Sequence, residues 1–226
     1  MTSEIKCLDH GFVALIDFMG DDRTPAQTAR TSFRNKVERT AEEDARLTDY
    51  LVRNKHTTPL EFCQVLFYMK MPISVARQLV RHRTASINEV SYRYVQAARE
   101  FYVPIDDRMQ KKAESNKQGS SHEIVDDPLG CIRLMVDAGH HAFDTYELLL
   151  SKGLAPEIAR NVLPLGTYTE WYWQCDLRNT LHLLGLRRDA HAQYETRVYA
   201  DAMLALLRPI YPTIIASWEK ANGAAR

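Results

Sequence analysis

Hydrophobic and polar positions alternate along FCQVLFYMKM, residues 62–71. Cys63, Val65, Phe67, Met69 and Met71 fall on one face of an extended chain, which predicts a strand. TYTEWYWQC, residues 167–175, sets Thr167, Thr169, Trp171, Trp173 and Cys175 against Tyr168, Glu170, Tyr172 and Gln174 and predicts a second strand. Elsewhere the period is helical. In TAEEDARLTDYLVRNKH, Leu47, Tyr50 and Leu51 form an apolar stripe, Thr40 and Glu43 have capping-box spacing, and Glu42 and Asp44 suit the first turn. Thr24 before Pro25 predicts an N-cap and a short helix through AQTARTSF. Pro72 opens a helix over PISVARQLVRHR, with Ile73, Ala76, Leu79 and Val80 inward and Arg81, His82 and Arg83 in its last turn.

Further helices are predicted over 131–151, closed by Gly153, and from Pro156 through PEIARNVLP. Asp176 is placed to cap DLRNTLHLLG, and Asp189 to cap AHAQYETRVYADAMLALLR. Residues 110–130 are polar, carry Gly and Pro and show no period, so they are expected as a surface loop. The sum is a helix-rich α+β chain, expected as one domain over 1–226.

With 29 basic and 29 acidic side chains the chain is formally neutral, which argues against a general nucleic-acid coat. No apolar run approaches the roughly 18 residues of a membrane helix, and the first residues lack a secretory pattern. The four cysteines, Cys7, Cys63, Cys131 and Cys175, contain no C-x-x-C pair and are expected as reduced thiols of a cytoplasmic protein. Neither common phosphate-cradling glycine loop is present, nor a nucleophile elbow. His140 and His141 are adjacent in a helical pattern and diverge, so no metal site is expected.

Against that neutral background, RHRTASINEVSYRY (81–94) concentrates three arginines, a histidine, a glutamate and two serines. Arginine presents a planar fork of donors that suits phosphate and carbonyl edges. Ser91 and Arg93, two apart, point the same way if the chain is extended and can grip one phosphate. Glu89 can accept from a ribose hydroxyl or orient an arginine. An anion-binding segment accounts for this clustering better than a solvated helix end does.

Arg81-His82-Arg83, seven residues, then Ser91 resembles the signature of the flavin-dependent thymidylate synthases. HTTPLEF (56–62), VARQLVRHRTASINEVSYRY (75–94), ARNVLPL (159–165) and LRRDAHAQYE (186–195) resemble segments of that family in the family's order. The resemblance implies the family's fold, a helix-rich α+β domain with an antiparallel or mixed sheet. It implies reductive methylation of dUMP to dTMP, with methylenetetrahydrofolate as carbon donor and FAD, reduced by NADPH, as hydride source. It also implies a homotetramer with shared active sites.

Gln78, Arg81, Glu89, Ser91, Arg93, Arg160 and Arg187 match dUMP-contacting positions, Arg187 being the catalytic candidate. Thr58, Glu61, Arg81, His82, Arg83, Arg178 and His191 match positions around FAD, with His56 and Ser32 close by. Asp176 and His182, also on the FAD side, stand where some relatives carry asparagine.

The chemistry of these residues agrees with the implied roles. A pyrimidine that accepts carbon at C5 develops negative charge at N3 and the carbonyls, which a guanidinium such as Arg187 stabilises. Ser91 lacks a His–Asp partner at any suggestive spacing and is assigned to phosphate rather than to nucleophilic attack. The run Trp171, Tyr172, Trp173 is read as core or subunit interface rather than a flavin stack. The rival class is a non-catalytic nucleotide- or RNA-binding module, which would be colourless and salt-sensitive.

Overall fold

The structure is a computed structural model and describes residues 3–33, 39–114 and 119–223. Its centre is a five-stranded antiparallel sheet in the order β1-β2-β3-β7-β4. The strands are β1 (Ser3–Cys7), β2 (Gly11–Met19), β3 (Gln64–Pro72), β4 (Ser86–Glu89) and β7 (Tyr168–Asp176). Both alternating segments are strands, β3 and β7, and they pair with each other over their whole length, from Gln64↔Asp176 to Pro72↔Tyr168. In β2 a bulge between Leu15 and Asp17 breaks the alternation. β4 is short and polar, an edge strand whose partner, β7, lies far along the chain.

The face predicted as apolar is the core. Cys63, Val65, Phe67, Met69 and Met71 are buried, as are Thr169, Trp171, Trp173 and Cys175 opposite them. Phe67 and Trp173 face one another across the strand pair with ring centres 6.1 Å apart. Over this face lie α6 (Leu177–Arg187), α7 (Tyr194–Leu207) and α8 (Pro212–Gly223), with Leu177, Leu184, Tyr199, Met203 and Ile214 in the same cluster. Trp171 and Trp173 are therefore core, whereas Tyr172, on the opposite face, is half exposed.

Several helix boundaries differ from expectation, each for a local reason. Helix α1 (Thr24–Ala29) begins at Thr24 itself; its N-cap is Arg23, and the Thr24 hydroxyl donates to Asp21 instead. Helix α2 (Ala41–Arg53) has the predicted capping box between Thr40 and Glu43, but Tyr50 is exposed, not inward. Helix α3 (Ile73–Leu79) stops before Arg81, because the chain must turn to bring β4 alongside β7. Asp176 caps α6 as expected, accepting from Asn179 N at 2.9 Å. Asp189 does not cap α7, which starts five residues later at Tyr194 behind Gln193; Asp189 accepts from His191 N.

The segment 110–130 is not structureless. β5 (Gln110–Lys112) and β6 (Ser120–Ile124) pair as an antiparallel hairpin, and α4 (Pro128–Ser151) begins at its end, capped by Asp127. Helix α5 (Pro156–Ala159) follows, extended by a 3₁₀ turn over Arg160–Val162. Phe101 seats its ring against Gly139 of α4, where an added Cβ would lie 2.2 Å from the ring. Among the described residues no helix is long and apolar enough to cross a membrane.

A buried carboxylate ties the N-terminal helices together. Asp44 of α2 accepts from Arg23 Nε at 2.7 Å and from Arg30, and its side chain is 1% exposed. Burial alone would raise its pKa, but the bonds and charges of Arg23 and Arg30 outweigh burial and hold it below the ordinary carboxylate value. A depressed folded-state pKa contributes stability that is present above the unfolded value and lost as pH falls through the folded one. Asp44→Asn should therefore destabilise the protein at neutral pH by roughly 3 kcal/mol, the low end for a broken buried pair with one exposed partner. In urea unfolding, the gap between variant and parent should close as the pH is taken below the carboxylate range.

Candidate functional site

The strand pairing brings the start of β3 beside the end of β7, and with them the segments that precede and follow. The 3₁₀ turn Thr58–Phe62 leads into β3, and α6 leaves β7. Across this junction Arg178 of α6 pairs with Glu61 at 2.5 Å. The turn separates two cavities. One, of about 760 Å³, is lined by Arg30, Ser32, Leu47, Tyr50, His56 and Thr58 among others, so three expected cofactor residues share one space. Tyr50 stacks on His56 with ring planes 16° apart, which explains its exposure: it faces this cavity, not the core. The other cavity, of about 740 Å³, has Thr57, Arg178, Asn179 and His182 in its wall. Both volumes are in the range of small-molecule sites.

A second, partly buried group lies where α3 and its following turn meet α6. Arg187 Nη2 donates to the backbone oxygen of Gln78 at 2.9 Å. Gln78 and Arg187, distant in sequence, are thus in direct contact. Arg187 Nε and His82 Nε2 are buried and have no hydrogen-bond partner among the described residues. Buried polar atoms are ordinarily satisfied, and these two nitrogens are among the few here that are not. His82 meets His182 edge-on at 5.5 Å. Burial, then the His182 ring, lowers the His82 pKa; Arg187 adds to this, against a backbone contact from Asn179. The lowering favours the neutral imidazole.

Arg81 and Arg83 flank this group on the surface, and neither has a carboxylate within ion-pair distance among the described residues. The same is true of Arg160. Glu89, at the end of β4, accepts from Thr169 Oγ1 at 2.6 Å, which fixes its carboxylate beside β7.

A third group forms around the turn after β4. Ser91 and Arg93 are not in extended chain: Tyr94 N and Val95 N both return to Ser91 O, and Arg93 N donates to Ser91 Oγ at 3.3 Å. The expected alternation fails because the strand ends at Glu89, where its pairing with Trp171 ends. The turn still clusters the two residues, and Arg93 pairs with Glu157 at 3.1 Å, three residues before Arg160.

Two expected residues stand apart. Both oxygens of Asp176 are engaged by Asn179 as the cap of α6. His191 is exposed, its Nδ1 2.9 Å from Asp189, and contacts no other site residue. Sequence reasoning missed Tyr50, Thr57 and Asn179, which line the cavities, and Gln193 and Thr196, which touch Gln78. Tyr50 was legible only as an apolar stripe position, and nothing in the pattern distinguished a cavity wall from core.

The thiols lie outside this chemistry. Burial pushes Cys7 and Cys63 up to about 12 and Cys175 up to about 11. Among the described residues no group of histidine, cysteine and acidic side chains is arranged to hold a metal ion.

The chain is similar to known proteins over most of its length. The sequence model of the family described as thymidylate synthase complementing protein (Thy1) matches residues 14–213. A flavin-dependent thymidylate synthase of Treponema denticola is 46% identical over 97% of this chain and 83% of its own length. That of Gluconobacter oxydans is 44% identical over 95% of this chain and 72% of its own. Among solved structures, a UMP/dUMP methylase, PolB, from Streptomyces cacaoi bound with 5-Br dUMP aligns with a TM-score of 0.85 at 30% identity, covering 96% of this chain and 97% of that one.

Native protein treated with iodoacetamide near pH 8 should be alkylated at half-buried Cys131 and left unmodified at Cys7, Cys63 and Cys175. Peptide mapping that finds rapid labelling of Cys63 or Cys175 would reopen a thiolate mechanism.

Proposed function

The chain belongs to the thymidylate synthase complementing protein family, and on that premise we propose that it converts dUMP to dTMP as a flavin-dependent thymidylate synthase. The observation that carries the reading is the partly buried guanidinium of Arg187, held by the Gln78 carbonyl and left with a buried, unpartnered Nε near His82. Methylenetetrahydrofolate is the carbon donor and tetrahydrofolate is released. Bound FAD, reduced by NADPH, supplies the hydride.

The residues present suit such a cofactor. The cavity with Ser32, His56 and Thr58 offers hydroxyls and a stacked aromatic pair, and Arg81 and Arg83 offer unneutralised charge for phosphates. Glu61 and Arg178 fix each other at the mouth between the two cavities. His182, in the wall of the second cavity, meets His82 edge-on, and His191 contributes from the exposed loop before α7.

dUMP is held by the other arginines. Ser91 and Arg93 in the turn, with Arg160 nearby, bind the phosphate, and Glu89 takes a ribose hydroxyl. Gln78 and Arg81 orient the base against Arg187. The guanidinium cannot act easily as a base at neutral pH. It instead stabilises the negative charge that develops on the pyrimidine as C5 attacks carbon, in a site that excludes water. No protein nucleophile is required, which agrees with three cysteines whose thiolates are suppressed.

We further propose that the chain acts as one domain in a cytoplasmic homotetramer, with active sites shared between subunits. Leu134 is 72% exposed and Leu129 61%, both on α4, and Leu148 and Met135 of the same helix are exposed too. Exposed apolar side chains of this kind are what a second copy would cover.

The purified protein should be yellow, or become so with added FAD. NADPH should bleach it, and dUMP with methylenetetrahydrofolate should restore the oxidised spectrum anaerobically while dTMP appears. A colourless, folded protein indifferent to FAD and dUMP would refute the assignment. Arg187→Ala should keep bound FAD while lowering kcat by about 10²–10³-fold. Ser91→Ala should raise the dUMP dissociation constant and retain turnover; lost turnover with unaltered dUMP affinity would make Ser91 a nucleophile instead.

A further inference from the structure

We propose that Gln193 and Thr196, in and just before the first turn of α7, are positioning residues that set Gln78 and, through it, Arg187; this rests on the reading of Arg187 given above. Gln78 is held at both atoms of its amide. Thr196 Oγ1 donates to Oε1 at 3.0 Å, and Nε2 donates to Gln193 Oε1 at 2.5 Å. The backbone oxygen of the same residue accepts from Arg187 Nη2. One residue of α3 thus joins the α7 turn on its side-chain end to the guanidinium on its main-chain end.

That oxygen is available because of where α3 stops. The helix ends at Leu79, and the last carbonyls of a helix have no intrahelical partner. Gln78 O is one of these and is satisfied by Arg187 instead of by a further turn. Thr196 is fully buried, so its hydroxyl has no water to turn to, and β-branching restricts its rotamer. The remaining approach of Gln78 Nε2, to Ser74 O at 3.5 Å, is at the limit of a hydrogen bond and leaves that hydrogen free for a nucleotide acceptor.

The turn doing the holding is itself pinned. Glu195, buried between Gln193 and Thr196 in register, accepts from Tyr102 Oη at 3.2 Å and from Arg108 Nε at 3.4 Å. The Arg108 guanidinium also lies 4.6 Å from the centre of the Tyr194 ring. Sliding the α7 turn would expose or unpair a buried carboxylate, which is costly. The sequence around Gln193 and Thr196 therefore fixes the placement of the reactive guanidinium without touching substrate.

The test is a mutant cycle read by steady-state kinetics. Gln193→Ala and Thr196→Val are made singly and together, in the parent and in a Gln78→Ala background, with Thr196→Ser as the conservative control. Gln193 is exposed, so its variant tests the idea even if the buried substitution impairs folding. The double variant should lose about ten-fold in kcat/KM for dUMP, one hydrogen bond's equivalent, with the FAD dissociation constant unchanged. Thr196→Ser should stay near the parent, and in the Gln78→Ala background the same substitutions should cost nothing further. Parental kcat/KM in the double variant, or a loss of undiminished size without Gln78, overturns the inference. A parent that forms no dTMP in this assay sinks the functional reading and this inference with it, a result distinct from either.

Discussion

The pairing of β3 with β7 is the constraint on which the rest depends. It is antiparallel and unbroken, so Gln64 lies opposite Asp176 at one end and Pro72 opposite Tyr168 at the other. A one-residue slip would turn Phe67 and Trp173 out of the core and their polar neighbours in, which makes the register strongly specified. Once it is fixed, the chain leading into β3 and the helix leaving β7 must emerge side by side. The pair between Glu61 and Arg178 and the two cavities around it follow from that geometry. At the far end the chain turns into α3, and α3 returns along the sheet to meet the end of α6.

The site is built from groups whose ordinary partners have been withheld. Several charged side chains here are neutralised locally, as Asp44 is by Arg23 and Arg30, or Glu195 by Arg108. Arg187 is held by a neutral carbonyl instead, and its Nε is left without a partner. A carboxylate in that place would hold the guanidinium as firmly but would cancel its charge. Neutral anchoring keeps both the position and the charge. The lowered pKa of His82 belongs to the same design, since a second cation beside Arg187 would cost more than it contributed.

The cysteines show the opposite use of burial. Cys63 and Cys175 sit on the apolar faces of the two central strands, where packing suits a small hydrophobe and suppresses ionisation. The same core that sets the register therefore suppresses the thiolates of Cys63 and Cys175.

Much of this was determined by the sequence alone. Alternation marked β3 and β7 with the correct inward residues, the Thr40–Glu43 spacing marked a real capping box, and Asp176 marked the start of α6. The four motif segments marked the family that the comparisons identify. These features are local: period, cap chemistry and short spacing leave their trace in neighbouring residues. What was decided only by tertiary structure is non-local. That α3 ends at Leu79, that Ser91 and Arg93 form a turn, and that Asp189 does not cap α7 depend on pairings with β7 or on where a helix has room to start. The grip of Gln193 and Thr196 on Gln78 spans more than a hundred residues of chain. No window of sequence contains both ends of such a contact, so only the folded chain could disclose it.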